Sequence, residues 1–212
     1  MKESLLKVKE AIVNLDIDDI KPNVQACLDD GVSPWEIIKE GMGEGMVIVG
    51  EKFEQGEYFL ADLILAGEMM KDGMVILDDK IDKKEAGKKG TVIIATVKGD
   101  IHDIGKNIVG VMLSASDFKV VDLGVDVPED KIISAIKETG ARAIGLSVLL
   151  TTMIGSIKDI VDALKEAGMR DSVKIAIGGA CTSERLAKEM GVDAYGEDAV
   201  KSVKIFEKLL AS

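Results

Sequence analysis

The chain of 212 residues contains few cysteines, few aromatic residues and no long apolar run, and each of these shortages excludes a class of protein. Its two cysteines, Cys27 and Cys181, form no CxxC pair, so we expect two reduced thiols in a cytoplasmic protein. No apolar run reaches the roughly 18 residues that span a bilayer, and the start of the chain does not resemble a signal peptide. We therefore expect no membrane partner.

Basic residues are outnumbered, and aromatic residues and histidine are rare. The formal net charge of −11 predicts repulsion from phosphate backbones, so we expect no nucleic-acid partner. Aromatic residues make up 3% of the chain while methionine occurs ten times, which favours an aliphatic core with methionine filling irregular gaps. The single histidine, His102, is the only candidate for any imidazole role.

The first part of the chain, residues 1–77, carries only helical patterns. Ser33 followed by Pro34 is typical of a helix start, because the serine oxygen can cap the helix and proline needs no N–H there. The predicted helices lie at about residues 5–13, 20–28, 34–53 and 60–77. Four helices with short connections predict a small bundle, which we assign to a helical domain of residues 1–85.

The remainder of the chain has a different pattern. Residues 78–90 are almost all charged or glycine, which is typical of a linker. Beyond them, β-branched runs alternate with helical segments, which predicts a doubly wound α/β domain of residues 90–212 with a five-stranded parallel sheet. The predicted strands are Thr91–Val97, Lys119–Leu123, Ala143–Val148, Lys174–Ile177 and Asp193–Tyr195. The predicted helices lie at about 104–116, 129–139, 154–168, 183–190 and 198–210.

Polar and glycine-rich runs follow three of the predicted strands. In a flavodoxin-like (Rossmann-like) sheet, ligands bind at the carboxyl ends of the strands, beside the switch point between strands 1 and 3. The first strand leads into Gly99-Asp100-Ile101-His102-Asp103-Ile104-Gly105, the third into Ser147-Val148-Leu149-Leu150-Thr151-Thr152, and the fourth into Gly178-Gly179. These runs are therefore expected at one edge of the sheet.

The spacing Asp100-x-His102-x-x-Gly105 suits a metal ligand. A carboxylate two residues before a histidine can accept one ring N–H, which fixes the tautomer and raises the basicity of the other nitrogen. Glycine at position 105 leaves room beside the backbone.

The residues alone also allow plainer interpretations. Asp100 could be a helix N-cap, His102 a helix-entry residue without a metal, and Ser147 and Thr151 ordinary loop hydroxyls. Zinc fits a lone histidine poorly, because it takes about three or four protein ligands. One protein ligand suffices when a macrocycle such as a corrin supplies the equatorial nitrogens.

The three motifs, in this order, resemble the cobalamin-binding module of methionine synthase. They resemble more closely the small corrinoid proteins of methanol, methylamine and methoxyarene methyltransferase systems. The motifs are the run Gly99–Gly105, then Ser147-x-Leu149, then Gly178-Gly179. In the first half, Gly45-Met46, Phe53 and Glu57-Tyr58-Phe59-Leu60 are similar to that family's helical cap. The resemblance spans nearly the whole chain.

The resemblance implies a corrinoid cofactor, cobalamin or a relative, bound base-off and His-on. His102 would replace the tail base as the lower axial ligand of cobalt, with Asp100 hydrogen-bonded to it. The nucleotide tail would thread into the sheet domain beside Gly105, Ser147 and Gly178-Gly179. The other implied contacts to the ring edge, the tail or the upper face are Gly99, Ile101, Asp103, Leu149, Thr151, Met46 and Phe59.

The resemblance also implies a role and a set of partners. The chain would carry a methyl group on cobalt between a substrate-specific methyltransferase and a corrinoid:acceptor methyltransferase that uses tetrahydrofolate or a thiol. A reductive activator is a further expected partner, and we expect no catalysis by the chain alone. One departure from methionine synthase is Met153, which stands where that enzyme has a serine extending the Asp–His pair into a relay; Thr152 is the nearest hydroxyl.

Three rival interpretations share part of the pattern. The corrinoid subunit of an adenosylcobalamin mutase shares Asp-x-His-x-x-Gly, but the helical cap disfavours it. A cobalamin-dependent sensor would add a DNA-binding module, for which the chain has no spare basic segment. A receiver-like signalling domain would place a lysine-bearing loop after strand 3, where this chain has Ser147.

Overall fold

The computed structural model describes residues 2–77, 80 and 88–211. By its internal contacts the chain divides into two compact units, one of Met1–Ala86 with Val111–Asp117 and the other of Gly87–Gly110 with Phe118–Ser212. The predicted linker at residues 78–90 lies for the most part outside the described residues, so it and the domain boundary there stay predictions.

The first unit contains the predicted helices. They are α1 (Glu3–Asn14), α2 (Ile17–Asp29), α3 (Pro34–Glu36), a π-helical segment (Ile37–Gly43), α4 (Glu44–Glu54) and α5 (Leu60–Leu77). The side chain of Ser33 accepts a hydrogen bond from the N–H of Glu36 at 3.2 Å, which confirms the predicted cap. The core is aliphatic and rich in methionine, as expected: Met42, Met46 and Met69 are all fully buried. Within the described residues, no helix has the length and apolarity needed to cross a membrane.

The predicted third helix is not a continuous α-helix, because the π-helical segment interrupts it. Glycines in and after this segment let it approach α1 closely. A β-carbon on Gly41 would lie 3.0 Å from Val8 Cγ1, and one on Gly45 would lie 2.8 Å from Ile12 Cβ. The π turn contains one more residue than an α turn, and with this extra residue both glycines face α1. A sequence pattern with the regular helical period does not predict such a turn.

The second unit has the predicted parallel sheet. Its strands are β1 (Thr91–Thr96), β2 (Lys119–Asp122), β3 (Ala143–Ser147), β4 (Lys174–Gly178) and β5 (Ala194–Gly196). All strand pairs are parallel, and the order β2-β1-β3-β4-β5 confirms the flavodoxin-like prediction. The helices that follow its strands are α6 (Ile104–Ala115), α7 (Glu129–Thr139), α8 (Gly155–Glu166), α9 (Glu184–Met190) and α10 (Ala199–Leu210), with short 3₁₀ segments at Thr151–Met153 and Arg170–Ser172. The last residues of α6, from Val111, are grouped with the first unit.

Helices pack on both faces of this sheet, because successive strand residues point to opposite sides. Ile93 of β1 belongs to a buried cluster with residues of α7 and α8. On the other face, a β-carbon on Gly110 of α6 would lie 2.7 Å from Ile94 Cδ1. A β-carbon on Gly145 of β3 would lie 3.2 Å from Phe206 Cζ of α10, so α6 and α10 share that second face.

A row of small residues crosses the carboxyl edge of the sheet. The strand register places Thr96 beside Ser147, Ser147 beside Gly178, and Gly178 beside Gly196. Thr96 is two positions after Ile94, so the row lies on the face that carries α6 and α10. The motifs predicted to meet at this edge do meet there.

Candidate functional site

Asp100 is fully buried at the carboxyl edge of β1, and its carboxylate accepts four hydrogen bonds. Oδ1 accepts from the main-chain N–H of His102 at 3.1 Å and lies 2.7 Å from Nδ1 of the same residue. Oδ2 accepts from the main-chain N–H groups of Leu149 at 2.7 Å and Leu150 at 3.2 Å. The single carboxylate therefore joins the loop after β1 to the loop after β3.

These contacts decide the charge of Asp100. Burial acts to raise the pKa of this carboxyl, but hydrogen bonds from the Leu149 N–H, from the side chain and N–H of His102, and from the Leu150 N–H outweigh it. Together they lower the pKa of Asp100 to about 2. Asp100 is therefore ionised at neutral pH, and all four of these donors are N–H groups.

The imidazole of His102 is held at one nitrogen and open at the other. An ionised carboxylate can only accept hydrogen bonds, so Nδ1 must carry the proton that it shares with Asp100. The lone pair of a neutral ring is then on Nε2, the nitrogen that a metal can bind. The side chain is about half exposed, at 48%, and the buried hydroxyl of Thr96 donates to the His102 carbonyl at 2.9 Å.

The loops that hold the Asp100–His102 pair expose four aliphatic side chains beside the exposed carboxylate of Asp103. Ile101 and Ile104 flank the histidine and are 72% and 59% exposed. Leu149 and Leu150, whose N–H groups bind Asp100, also have exposed side chains. Exposed aliphatic side chains of this size, on the loops that hold a nitrogen able to bind a metal, suit the flat apolar body of a macrocycle.

Glycines at the edge make room or allow close backbone contact. Gly99 has φ +83°, and a β-carbon there would collide with the Met153 sulfur. Met153, at the position of the serine in methionine synthase, therefore packs against the loop that carries His102. Gly179 has φ +121°, and a β-carbon there would overlap the carbonyl of Val148. Gly105, the second residue of α6, is different, because a β-carbon there would meet nothing within 4 Å.

The other predicted contacts are placed as follows. Asp103 is exposed just before α6, where its carboxylate accepts from Asn107 Nδ2 at 3.0 Å. Ser147 and Gly178 are partly buried in the row across the sheet, and Thr151 is exposed at the start of a 3₁₀ segment. The site thus combines every residue predicted from the sheet domain at one edge.

Met46 and Phe59, the predicted cap contacts, lie in the helical unit and differ in exposure. Met46 is 1% exposed, whereas Phe59 is 69% exposed. Its backbone N–H donates to Asp62 Oδ2 at 2.7 Å, which fixes the start of α5. Their contact with a ligand stays a prediction, and Phe59 is the one that offers surface for it.

Two residues near this edge were not predicted from the sequence. Asp126, between β2 and α7, accepts from the Gly99 N–H at 2.7 Å through Oδ1. Lys106 is buried on α6, where its ammonium donates to Asp122 Oδ2 at 2.6 Å and Asn107 Oδ1 at 2.8 Å. The signals are weak: a lysine directly after Gly105, and an aspartate after β2 in a run of turn residues.

The donor set indicates what kind of metal the edge can hold. Over residues 2–77, 80 and 88–211, no group of three or more His, Cys, Asp or Glu side chains is arranged to hold an ion. Asp100 is committed to four N–H donors, so Nε2 of His102 is the ligand atom that this pair offers. A metal here must bring its other ligands, and the open position at Gly105 leaves space for a group attached to a macrocycle.

Known proteins are similar to this chain in sequence and fold. Residues 90–204 match the B12 binding domain family, and residues 5–78 match a second family of the same description. Over 208 residues the chain is 42% identical to the trimethylamine corrinoid protein of Methanosarcina barkeri, with 96% of each chain covered. The chain belongs to the corrinoid protein family.

Solved structures of similar proteins agree with the fold of this corrinoid protein. A cobalamin-binding protein from Desulfitobacterium hafniense DCB-2 is 38% identical with a TM-score of 0.76, and the match covers 97% of this chain and 98% of that one. A chain of the methanol:cobalamin methyltransferase complex of Methanosarcina barkeri is 29% identical with a TM-score of 0.85, covering 100% of this chain and 81% of that one. The family, the fold and the prediction of a cobalamin-type corrinoid are confirmed.

Proposed function

We propose that this corrinoid protein carries a methyl group, on the cobalt of its bound corrinoid, between two methyltransferase proteins. The observation that supports it most is the Asp100–His102 pair, whose 2.7 Å hydrogen bond leaves Nε2 free at the carboxyl edge of the sheet. When bound, the corrinoid supplies the cobalt that accepts and gives up the methyl group.

In this proposal each motif has a task that follows from its chemistry. His102 is the lower axial ligand of a base-off corrinoid, and Asp100 keeps the ring in the tautomer with Nε2 unprotonated. Gly105, Ser147 and Gly178-Gly179 lie beside the nucleotide tail. A β-carbon on Gly105 would meet nothing within 4 Å, so this position leaves room on the α6 face, whereas Gly178 and Gly179 let backbone segments of the edge pack closely. The exposed aliphatic residues around His102 exclude water from the lower face of the ring.

The proposed partners are a substrate:corrinoid methyltransferase, a corrinoid:acceptor methyltransferase that uses tetrahydrofolate or a thiol, and a reductive activator. Matches to a trimethylamine corrinoid protein and to a methanol:cobalamin methyltransferase complex support partners of this kind. Because the similar proteins serve different methyl donors, we propose that the donor is selected by the partner. Two unpaired cysteines, Cys27 and Cys181, support a reducing, cytoplasmic location.

The mutase subunit and the cobalamin-dependent sensor are weaker candidates. A match over 96% of both chains to a trimethylamine corrinoid protein favours the carrier over either of them.

The test is reconstitution of the purified apoprotein with hydroxocobalamin under anaerobic conditions, then reduction and addition of methyl iodide. We expect retention of one corrinoid per chain through gel filtration, and conversion of the reduced spectrum to that of the methylated corrinoid. Subsequent addition of a thiol with a corrinoid:thiol methyltransferase should reverse the conversion. A folded protein that retains no corrinoid, or a bound corrinoid that resists methylation, would contradict the proposal.

A further inference from the structure

The segment after β2, residues 123–127, continues beside the His102 loop beyond the end of the regular ladder. The N–H of Thr96 donates to the Gly124 carbonyl at 3.0 Å, and the N–H of Val127 donates to the Thr96 carbonyl at 3.1 Å. The hydroxyl of the same Thr96 donates to the His102 carbonyl at 2.9 Å. This segment is therefore built into the support of the histidine loop.

Asp126 contacts the loop of the Asp–His pair at two points. Its Oδ1 accepts from the N–H of Gly99 at 2.7 Å, and its own N–H donates to the carbonyl of Asp100 at 2.9 Å. Asp126 can make both contacts because its backbone is left-handed, with φ +52°, a conformation that aspartate tolerates better than most residues. One residue thus binds the chain on both sides of the Gly99–Asp100 peptide.

We propose that Asp126 is a positioning residue for His102. By holding the Gly99–Asp100 peptide, it fixes the Asp100 backbone and so the direction of the Asp100 carboxylate. The carboxylate in turn fixes the tautomer and direction of the imidazole. The consequence for cobalt rests on the proposed function, whereas the effect on the ring exists in the apoprotein and is measurable there.

The variants separate the acceptor oxygen from backbone strain. Asp126→Gly removes the carboxylate while glycine adopts the left-handed backbone without strain. Asp126→Asn keeps an acceptor oxygen in place and should rescue the contact. Asp117→Gly is the matched control, because Asp117 is also a left-handed aspartate, with φ +69°, and lies at the opposite end of α6 from the histidine loop.

The measurement is the ¹⁵N spectrum of the imidazole in the apoprotein, at about pH 8 where an ordinary imidazole is neutral. Since the chain has a single histidine, both signals belong to His102, and correlation with the ring C–H protons distinguishes Nδ1 from Nε2. We expect the wild type, Asp126→Asn and Asp117→Gly to show one tautomer with the proton on Nδ1. In Asp126→Gly the two nitrogen shifts should move towards each other, as in a mixture of tautomers. Unchanged shifts in a folded Asp126→Gly protein would overturn the proposal.

Amide hydrogen exchange and the spectrum of the bound corrinoid are two further tests of the role of Asp126. If Asp126→Gly does not fold, amide hydrogen exchange of the wild type decides: the Gly99 N–H should be protected, and exchange at the rate of a free amide would overturn the proposal. In the reconstituted protein, Asp126→Gly should lower the ratio of histidine-bound to unbound corrinoid about tenfold, as loss of an outer-shell contact does elsewhere. An equal ratio would also overturn it, whereas a wild type that binds no corrinoid would count only against the proposed function.

Discussion

At the scale of single residues, Asp100 organises the site. Its carboxylate receives N–H donors from two loops that are far apart in sequence, and its ionised state fixes the proton on the neighbouring ring. The Asp–His pair could be predicted, because a spacing of two residues in a loop suffices for the contact. The donors Leu149 and Leu150 could not be predicted, because they bind Asp100 through backbone N–H groups, which nearly every residue type has.

The depressed pKa of Asp100 predicts how the apoprotein responds to acid. The pKa of Asp100 falls from 3.8 in the unfolded chain to about 2 in the folded protein. The ionised carboxylate therefore stabilises the folded protein fully above pH 3.8, and this stabilisation is lost as the pH drops through about 2. The shift corresponds to about 2 kcal/mol. In urea unfolding between about pH 5 and pH 2, the wild type should therefore lose about 2 kcal/mol more than Asp100→Asn.

The control for this prediction is an exposed carboxylate. Hydrogen bonds from Lys158 and Lys165 lower the pKa of Asp162 on the surface of α8, where solvent screens the effect. Asp162→Asn should keep the acid sensitivity of the wild type. Parallel curves for the wild type and Asp100→Asn would show that Asp100 is not held ionised by the fold.

At the scale of elements, the βα units were predictable because composition, turn residues and length agree for each of them. The five strands and their helices lie within one or two residues of the predicted bounds. The π-helical segment Ile37–Gly43 was missed, since its cause is the close approach of Gly41 and Gly45 to α1 rather than a local preference. The Asp126 contact was missed for a similar reason, because it joins two loops across the sheet edge.

The N-terminal turn of α6 yields a prediction with effects of opposite sign. Leucine in place of Gly105 should stabilise the apoprotein by about 0.5–1 kcal/mol, because a helix prefers leucine and the position is open. The same side chain should fill the space that we assign to the corrinoid tail and lower cobalamin affinity at least about tenfold. Thermal unfolding and a cobalamin titration measure the two effects.

Gly155→Leu is the matched control for Gly105→Leu. Gly155 opens α8, and a β-carbon there also meets nothing within 4 Å. Because α8 packs on the opposite face of the sheet from α6, cobalamin affinity should stay at the wild-type value. Equal affinities for Gly105→Leu and Gly155→Leu would exclude Gly105 from the binding surface.

The turn after β4 is sensitive to a single methyl group. Gly179→Ala would force a left-handed alanine against the Val148 carbonyl, and should destabilise the protein by roughly 3 kcal/mol. Gly168→Ala has a left-handed backbone but open space, so we expect a cost of about 1 kcal/mol. Urea unfolding at neutral pH compares them, and equal losses would show that the contact at Gly179 relaxes freely.

At the scale of the whole molecule, the folds of both units and the position of the polar motifs at one edge of the sheet could be predicted from the sequence. The edge was predictable because parallel strands deliver their carboxyl ends to the same side, so three separate motifs had to converge. The methyl donor and the partners were not predictable from the residues, because surfaces that bind other proteins follow no fixed spacing. The methyl donor and the partners are inferred from the similar proteins and stay proposals.

The central claim is that His102 binds the cobalt of the corrinoid. The most direct measurement is the electron paramagnetic resonance spectrum of the cobalamin-loaded protein in its one-electron-reduced form, with histidine labelled with ¹⁵N. Since His102 is the only histidine, coupling to a labelled nitrogen can arise from no other residue of the chain. We predict that labelling changes the nitrogen splitting from a triplet to a doublet. A triplet that labelling leaves unchanged would mean that the base of the cofactor itself still holds the cobalt, and would contradict the account.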